Sequence, residues 1–176
     1  MLARQFRIII SLVLLLAVSG ARGAPDIGDT PPDYLGKTLD GVPVLVSQHA
    51  GKVVVVSFWA TWCPYCLKEL PILNGLQKLA GKEQMHVVAV NTEERAVFRK
   101  VVNALKSLDL HHSYDPGESA QKAYGVNGLP HMLIIGRDGK IQSFYRGYGE
   151  SSLDKIVADI NRALAAPKPS VAEAAL

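Results

Sequence analysis

Val53-Val54-Val55-Val56-Ser57-Phe58-Trp59 runs without a break into Ala60-Thr61-Trp62-Cys63-Pro64-Tyr65-Cys66. The first seven residues are apolar except for Ser57 and rich in β-branched side chains. Such a run suits a central strand covered on both faces, as in a parallel sheet packed between helices. A helix follows from Pro64 to Ala80, where Cys66, Leu67, Leu70, Leu73, Leu76 and Leu79 recur at helical spacing. Pro64 suits its first turn, and Pro71 is expected to kink it. The only two cysteines therefore sit where a strand gives way to a helix.

Upstream, Asp40-Gly41 lies between short apolar stretches and predicts a hairpin near the start of the domain. Downstream, a strand is expected at His86–Asn91 and a helix from about Glu93 to Leu108. Val97, Val101, Val102, Leu105 and Leu108 supply the buried stripe of that helix. Asp115-Pro116-Gly117 reads as a turn before a short helix ending at Tyr124. Met132–Ile135 and Ile141–Tyr145 form two strands across the hairpin signature Arg137-Asp138-Gly139-Lys140. A last helix opens near Ser151, with Asp154 reciprocating the cap and Ile156 and Ile160 among its core residues. The resulting class is α/β, a central mixed sheet flanked by helices, in one domain over 33–166. The polar, proline-containing stretch 25–32 reads as a linker, and the small and proline-rich stretch 167–176 as a disordered tail.

The N-terminus is of another kind. Arg4 and Arg7 precede an apolar run from Ile8 to Val18, followed by Ser19, Gly20 and Ala21. That is the order of a secretory signal peptide over 1–24, cleaved near 21–24, with an uncleaved membrane anchor as the alternative. The run is shorter than the roughly 20 residues that span a bilayer. The whole chain carries 19 basic and 16 acidic residues, but from Pro25 onward the two balance at 16 each. A neutral domain gives no electrostatic reason to expect nucleic acid as a partner. The expected location is periplasmic or otherwise secreted.

In an exported chain, structural disulfides are normally spaced widely, because longer loops gain more from closure. A bridge between Cys63 and Cys66 closes almost no loop, which points to chemistry. A helix N-terminus offers unpaired amides and a positive dipole end that stabilise a thiolate. Cys63, at the tip, is expected to be the exposed nucleophile of lowered pKa, with Cys66 one turn inward as its resolving partner. A zinc site is disfavoured, since no second such pair exists and the histidines lie far off in sequence. No cofactor and no metal are called for. His111-His112 reads as a solvated strand edge and His131 as packed beside the site. Trp62, an aromatic beside the nucleophile, is a candidate substrate contact.

The segment Phe58–Cys66 resembles the active-site segment of the thioredoxin superfamily, nearest the exported TlpA/ResA/CcmG-type thiol–disulfide oxidoreductases. The resemblance extends from about Asp33 to Leu164 and implies a thioredoxin-like fold. The helix from Glu93 and the stretch after it match that branch's central αβ insertion. Tyr124-Gly125-Val126-Asn127-Gly128-Leu129-Pro130 resembles the segment that carries a cis proline in this family. By that resemblance Pro130 faces the cysteines, and the backbone at Leu129 pairs with the substrate chain. The activity implied is reduction of disulfides in exported proteins, cytochrome c maturation being one service of that branch, through a redox disulfide Cys63–Cys66. A membrane electron donor of the thioredoxin-reducing type is implied as well. The opposite direction, a periplasmic dithiol oxidase, and a copper-binding chaperone on the same fold are the competing readings.

Three positions depart from the superfamily pattern. Ser57 stands where ordinary thioredoxins hold a buried aspartate, and His131 follows the proline where threonine or serine is expected. Pro64-Tyr65 resembles the glutaredoxin dipeptide, which implies a potential of about −200 to −230 mV. With no aspartate at Ser57, the resemblance assigns the supporting acid/base to Glu94, and Glu93 only starts the helix.

Overall fold

A computed structural model describes residues 23–168 except Tyr148. The expected leader, up to residue 22, and the tail from residue 169 lie outside the described residues. The N-terminal hairpin is β1 (Tyr34–Lys37) and β2 (Pro43–Leu45), closed where Gly41 takes a φ of 85°. A single helical turn over Val46–His49 leads into β3 (Val53–Trp59), buried at every position. Then come α1 (Pro64–Ala80), β4 (Met85–Asn91), α2 (Arg95–Val102), β5 (His111–Tyr114) and α3 (Ser119–Tyr124). β6 (His131–Ile135), β7 (Ile141–Arg146) and α4 (Glu150–Ala165) complete the order.

Among the described residues seven strands form one mixed sheet in the order β2-β1-β5-β4-β3-β6-β7. β3, β4 and β5 run parallel, with Val55 opposite Val87 and Val90 opposite Ser113. β6 lies antiparallel to β3, and β1 antiparallel to β5. The alternation of strand side chains divides the core in two. Val54, Val56 and Phe58 pack with Val88, Leu133 and Tyr124 on the face covered by α3. Val53 and Val55 pack with Leu73, Ile156 and Ile160 on the face covered by α1 and α4.

Several expectations change in detail. The helix expected over Glu93–Leu108 ends at Val102, and a tighter turn over Ala104–Ser107 follows. His111 and His112 belong to β5, which has a neighbour on each side and is no solvated edge. The α1 stripe is also more polar than the leucine pattern implies. Leu79 is 87% exposed and Leu67 43%, whereas Glu69, Asn74 and Gln77 are buried. Backbone demand explains the last two. Gln77 accepts from the Val87 amide at 2.7 Å and donates to the Asp109 carbonyl, and Asn74 accepts from the Asp109 amide at 2.9 Å. At the start of α4 it is Ser152, rather than Asp154, that closes back onto Gly149. The stretch expected as a linker is docked, since Gly28 donates to Ile141 and Asp29 accepts from it.

Candidate active site

β3 ends at Trp59, and Ala60-Thr61-Trp62 turns the chain into α1. Cys63 is the N-cap of that helix. Its sulfur accepts the Cys66 amide at 3.1 Å, which satisfies one of the free donors at the helix tip. Cys63 and Cys66 are joined, sulfur to sulfur, at 2.12 Å. In this oxidised state Cys63 keeps 3% of its surface exposed and Cys66 none. The freely exposed sulfur expected from the sequence is therefore covered, because both cysteines pack with Trp59, Leu70 and Ala89. The side chains beside them face solvent instead: Trp62 is 69% exposed and Tyr65 53%.

The Leu129–Pro130 bond is cis. Leu129 packs against the cluster that holds both cysteines, and Pro130 is buried. His131, next in the chain, turns to the other face of the sheet and sits edge-on between Phe58 and Phe144. Burial, and then the charge of Arg146, lowers its pKa to about 4, so the ring is neutral near pH 7.

Glu94 is the N-cap of α2; it is exposed and makes no side-chain cap hydrogen bond. Its neighbour Glu93 is the one that turns toward the active-site loop. The Glu93 carboxylate accepts from the Thr61 amide at 2.6 Å, the Thr61 hydroxyl at 2.8 Å and the Asn91 amide nitrogen at 3.2 Å. The register of β4 causes this difference. Asn91 lies beside Trp59, so the next residues leave the strand level with the loop before α2 starts. Glu93 thus anchors the loop that presents the cysteines, whereas Glu94 is exposed.

Sequence reading missed Glu69. It lies one turn beyond Cys66 on the same buried face of α1, 2% exposed. The Ser57 hydroxyl donates to it at 2.7 Å. Desolvation raises its pKa to about 7, and the Ser57 hydrogen bond only partly opposes that. A signal was present, because Cys66, Glu69, Leu70 and Leu73 keep the i, i+3, i+4, i+7 spacing of a core-facing stripe. A carboxylate within that stripe stands out.

The family profile described as Redoxin matches residues 23–164. A thiol-disulfide oxidoreductase ResA of Bacillus cereus (strain ATCC 10987 / NRS 248) is 30% identical over 82% of this chain and 90% of its own. The ResA of Geobacillus kaustophilus is 28% identical over 94% of this chain and 99% of its own. Among solved structures, a Chlorobium tepidum protein assigned as a thiol:disulfide interchange protein DsbE superposes with a TM-score of 0.70 at 30% identity. That match covers 79% of this chain and 98% of the other. Bonded cysteines at a helix tip on this sheet, together with these likenesses, assign the chain to the redoxin family of the thioredoxin superfamily, as a ResA/CcmG-type thiol–disulfide oxidoreductase.

Proposed function

We propose that the protein reduces disulfides in exported proteins, with Cys63 as the attacking sulfur and Cys66 as the resolving one. In the reduced enzyme the Cys63 thiolate attacks a substrate disulfide. A bond forms from Cys63 to one substrate sulfur, and the other leaves as a thiolate. Cys66 then gives its proton to Glu69 and attacks the Cys63 sulfur. The second substrate thiolate departs, and the enzyme, two electrons poorer, holds the Cys63–Cys66 disulfide. A dithiol donor, expected in the membrane, restores the reduced pair. The observation that carries this reading is the pair at the α1 tip with a carboxyl of pKa about 7 one turn behind it. Such a carboxyl can accept a thiol proton near neutral pH and return it later. In this reading Glu69, and not the exposed Glu94, holds that role.

Trp62 and Tyr65, exposed on either side of Cys63, supply apolar contact for a substrate chain, with Pro64 between the cysteines holding the turn. Leu129 and Pro130 form the opposite wall by resemblance to the superfamily, and the close packing of Leu129 on the cysteine cluster supports it. The leader expected over 1–24 supports a location outside the cytoplasm. No helix among the described residues is long and apolar enough to cross a membrane.

The test is substrate trapping in the native host. Cys66→Ser should accumulate mixed disulfides on Cys63, and Cys63→Ser should abolish reduction. Trapping by Cys63→Ser through Cys66 instead would reverse the two roles. A Cys63–Cys66 pair found largely oxidised in the cell would make the protein an oxidase.

A further inference from the structure

At the other ends of the parallel strands, away from the cysteines, three histidines from three elements meet. His49 closes the turn before β3, His86 lies near the start of β4, and His111 opens β5. His86 and His111 share a sheet face, because His111 stands opposite Val88, two residues beyond His86. One ring nitrogen from each lies within 4.8 Å of the other two. The rings of His49 and His86 stack at 3.9 Å between centroids. His111 stands edge-on to both, at 5.8 and 5.7 Å.

This arrangement costs the protein stability as it stands. The Nε2 atoms of His49 and His86 are shut from water and have no hydrogen-bond partner. Leaving such an atom unsatisfied costs about 1–3 kcal/mol. Burial, and then mutual repulsion with neighbouring charges, lowers the pKa of His49 and of His86 to about 4. Burial lowers that of His111 also. All three are therefore neutral imidazoles near pH 7, the form that ligates metals. The nearby cations are balanced: Lys52 pairs with Glu83 at 3.5 Å, and Lys82 with Asp109 at 2.5 Å.

We propose that His49, His86 and His111 bind one borderline divalent cation of the Zn²⁺ class, with solvent completing the coordination. Three imidazoles suit zinc, nickel or copper(II) and disfavour magnesium or calcium, which take oxygen ligands. Zn–N bonds of about 2.0–2.1 Å in a tetrahedral site set ligand nitrogens roughly 3.4 Å apart. Binding therefore sets the three nitrogens at that spacing and tilts the two stacked rings apart. The ion would clip the turn before β3 to β4 and β5, and it would satisfy the buried nitrogens. It lies at the strand ends opposite the redox pair, so it serves stability and not electron transfer.

The test uses the full chain without a polyhistidine tag, with the Cys63–Cys66 disulfide intact so that no thiolate is available. Zn²⁺ is titrated against a chromophoric chelator. We expect one equivalent bound and a melting temperature that rises with Zn²⁺. His86→Gln and His111→Gln should each weaken binding by about tenfold or more, since loss of even a residue that only orients a ligand costs about 10–100-fold. The double variant should bind none and show no thermal shift, while His112→Gln should bind as the wild type does. Uptake by the double variant equal to wild type, or no uptake by the wild type, overturns the site. Should the variants fail to fold, ring resonances of the wild type decide the matter. Zn²⁺ must then shift those of His49, His86 and His111 and leave His131 in place.

Discussion

Burial sets the Glu69 carboxyl near 7, so at the single-residue scale it can both accept and return a proton in neutral solution. The Ser57 hydroxyl donates to it and ties it to β3. Serine cannot itself act as base near pH 7, but it can orient one; in the proposed mechanism the serine–glutamate pair stands in for a single buried aspartate. Glu69→Gln should slow resolution of the mixed disulfide by about 10²-fold, the usual scale for a lost general base. Wild-type resolution should rise with pH through about 7, and the variant should lose that inflection. Stopped-flow release of a trapped substrate at graded pH reads both. An inflection near 7 that survives in Glu69→Gln would remove the residue from the mechanism. Glu94→Gln, altering an exposed cap, should match the wild type.

At the scale of elements, apolar patterning revealed β3, β4, β6 and β7 closely, because the first three are almost wholly buried runs and β7 alternates buried with half-buried residues after a turn signal. It failed at β5 for a physical reason. His111-His112-Ser113-Tyr114 has no apolar alternation, and its place between β1 and β4 is set by pairing with strands distant in sequence. The same limit hid the roles of Asn74 and Gln77, whose value lies in the backbone they serve rather than in their own period. At the active site the cysteines and the cis proline were legible from local motifs. Glu69 was legible only as a carboxylate within the buried stripe of α1; its pairing with Ser57 was not, because the two meet only through packing of α1 on β3. Gln77→Leu should test the backbone argument. It conserves burial but strands the Val87 amide and the Asp109 carbonyl, at a cost of about 2–4 kcal/mol. Urea unfolding and faster hydrogen exchange at Val87 should report it. A variant as stable as the wild type would mean that water replaces both bonds.

For the whole molecule, buried titratable groups of opposite kind compete over acid pH. Neutral His49, His86 and His131, with pKa values near 4 in the fold, take up protons on unfolding below the ordinary histidine range. Their contribution is present above about 6.5 and is lost as pH falls toward 4. Glu69 acts the other way. Its raised pKa favours the fold while it is protonated, and that advantage shrinks as pH rises from about 4.5 to about 7. The histidines outnumber it, so stability should climb from pH 4 to 7. Glu69→Gln should gain on the wild type by roughly 3 kcal/mol between pH 4.5 and 8, since each pKa unit is about 1.4 kcal/mol. Chemical denaturation at the two pH values measures the difference. A constant offset between variant and wild type would mean that Glu69 titrates alike in both states.

The insertion of β5 between β1 and β4 also has a temporal consequence. The hairpin β1–β2 is made early during synthesis, yet the strand that ties it to the sheet is not completed until Tyr114, where Lys37 pairs. A two-stranded hairpin is marginal by itself. The nascent chain must therefore hold an open strand edge until more than half of the domain has followed it. Over that interval β1 is exposed to mispairing with other chains.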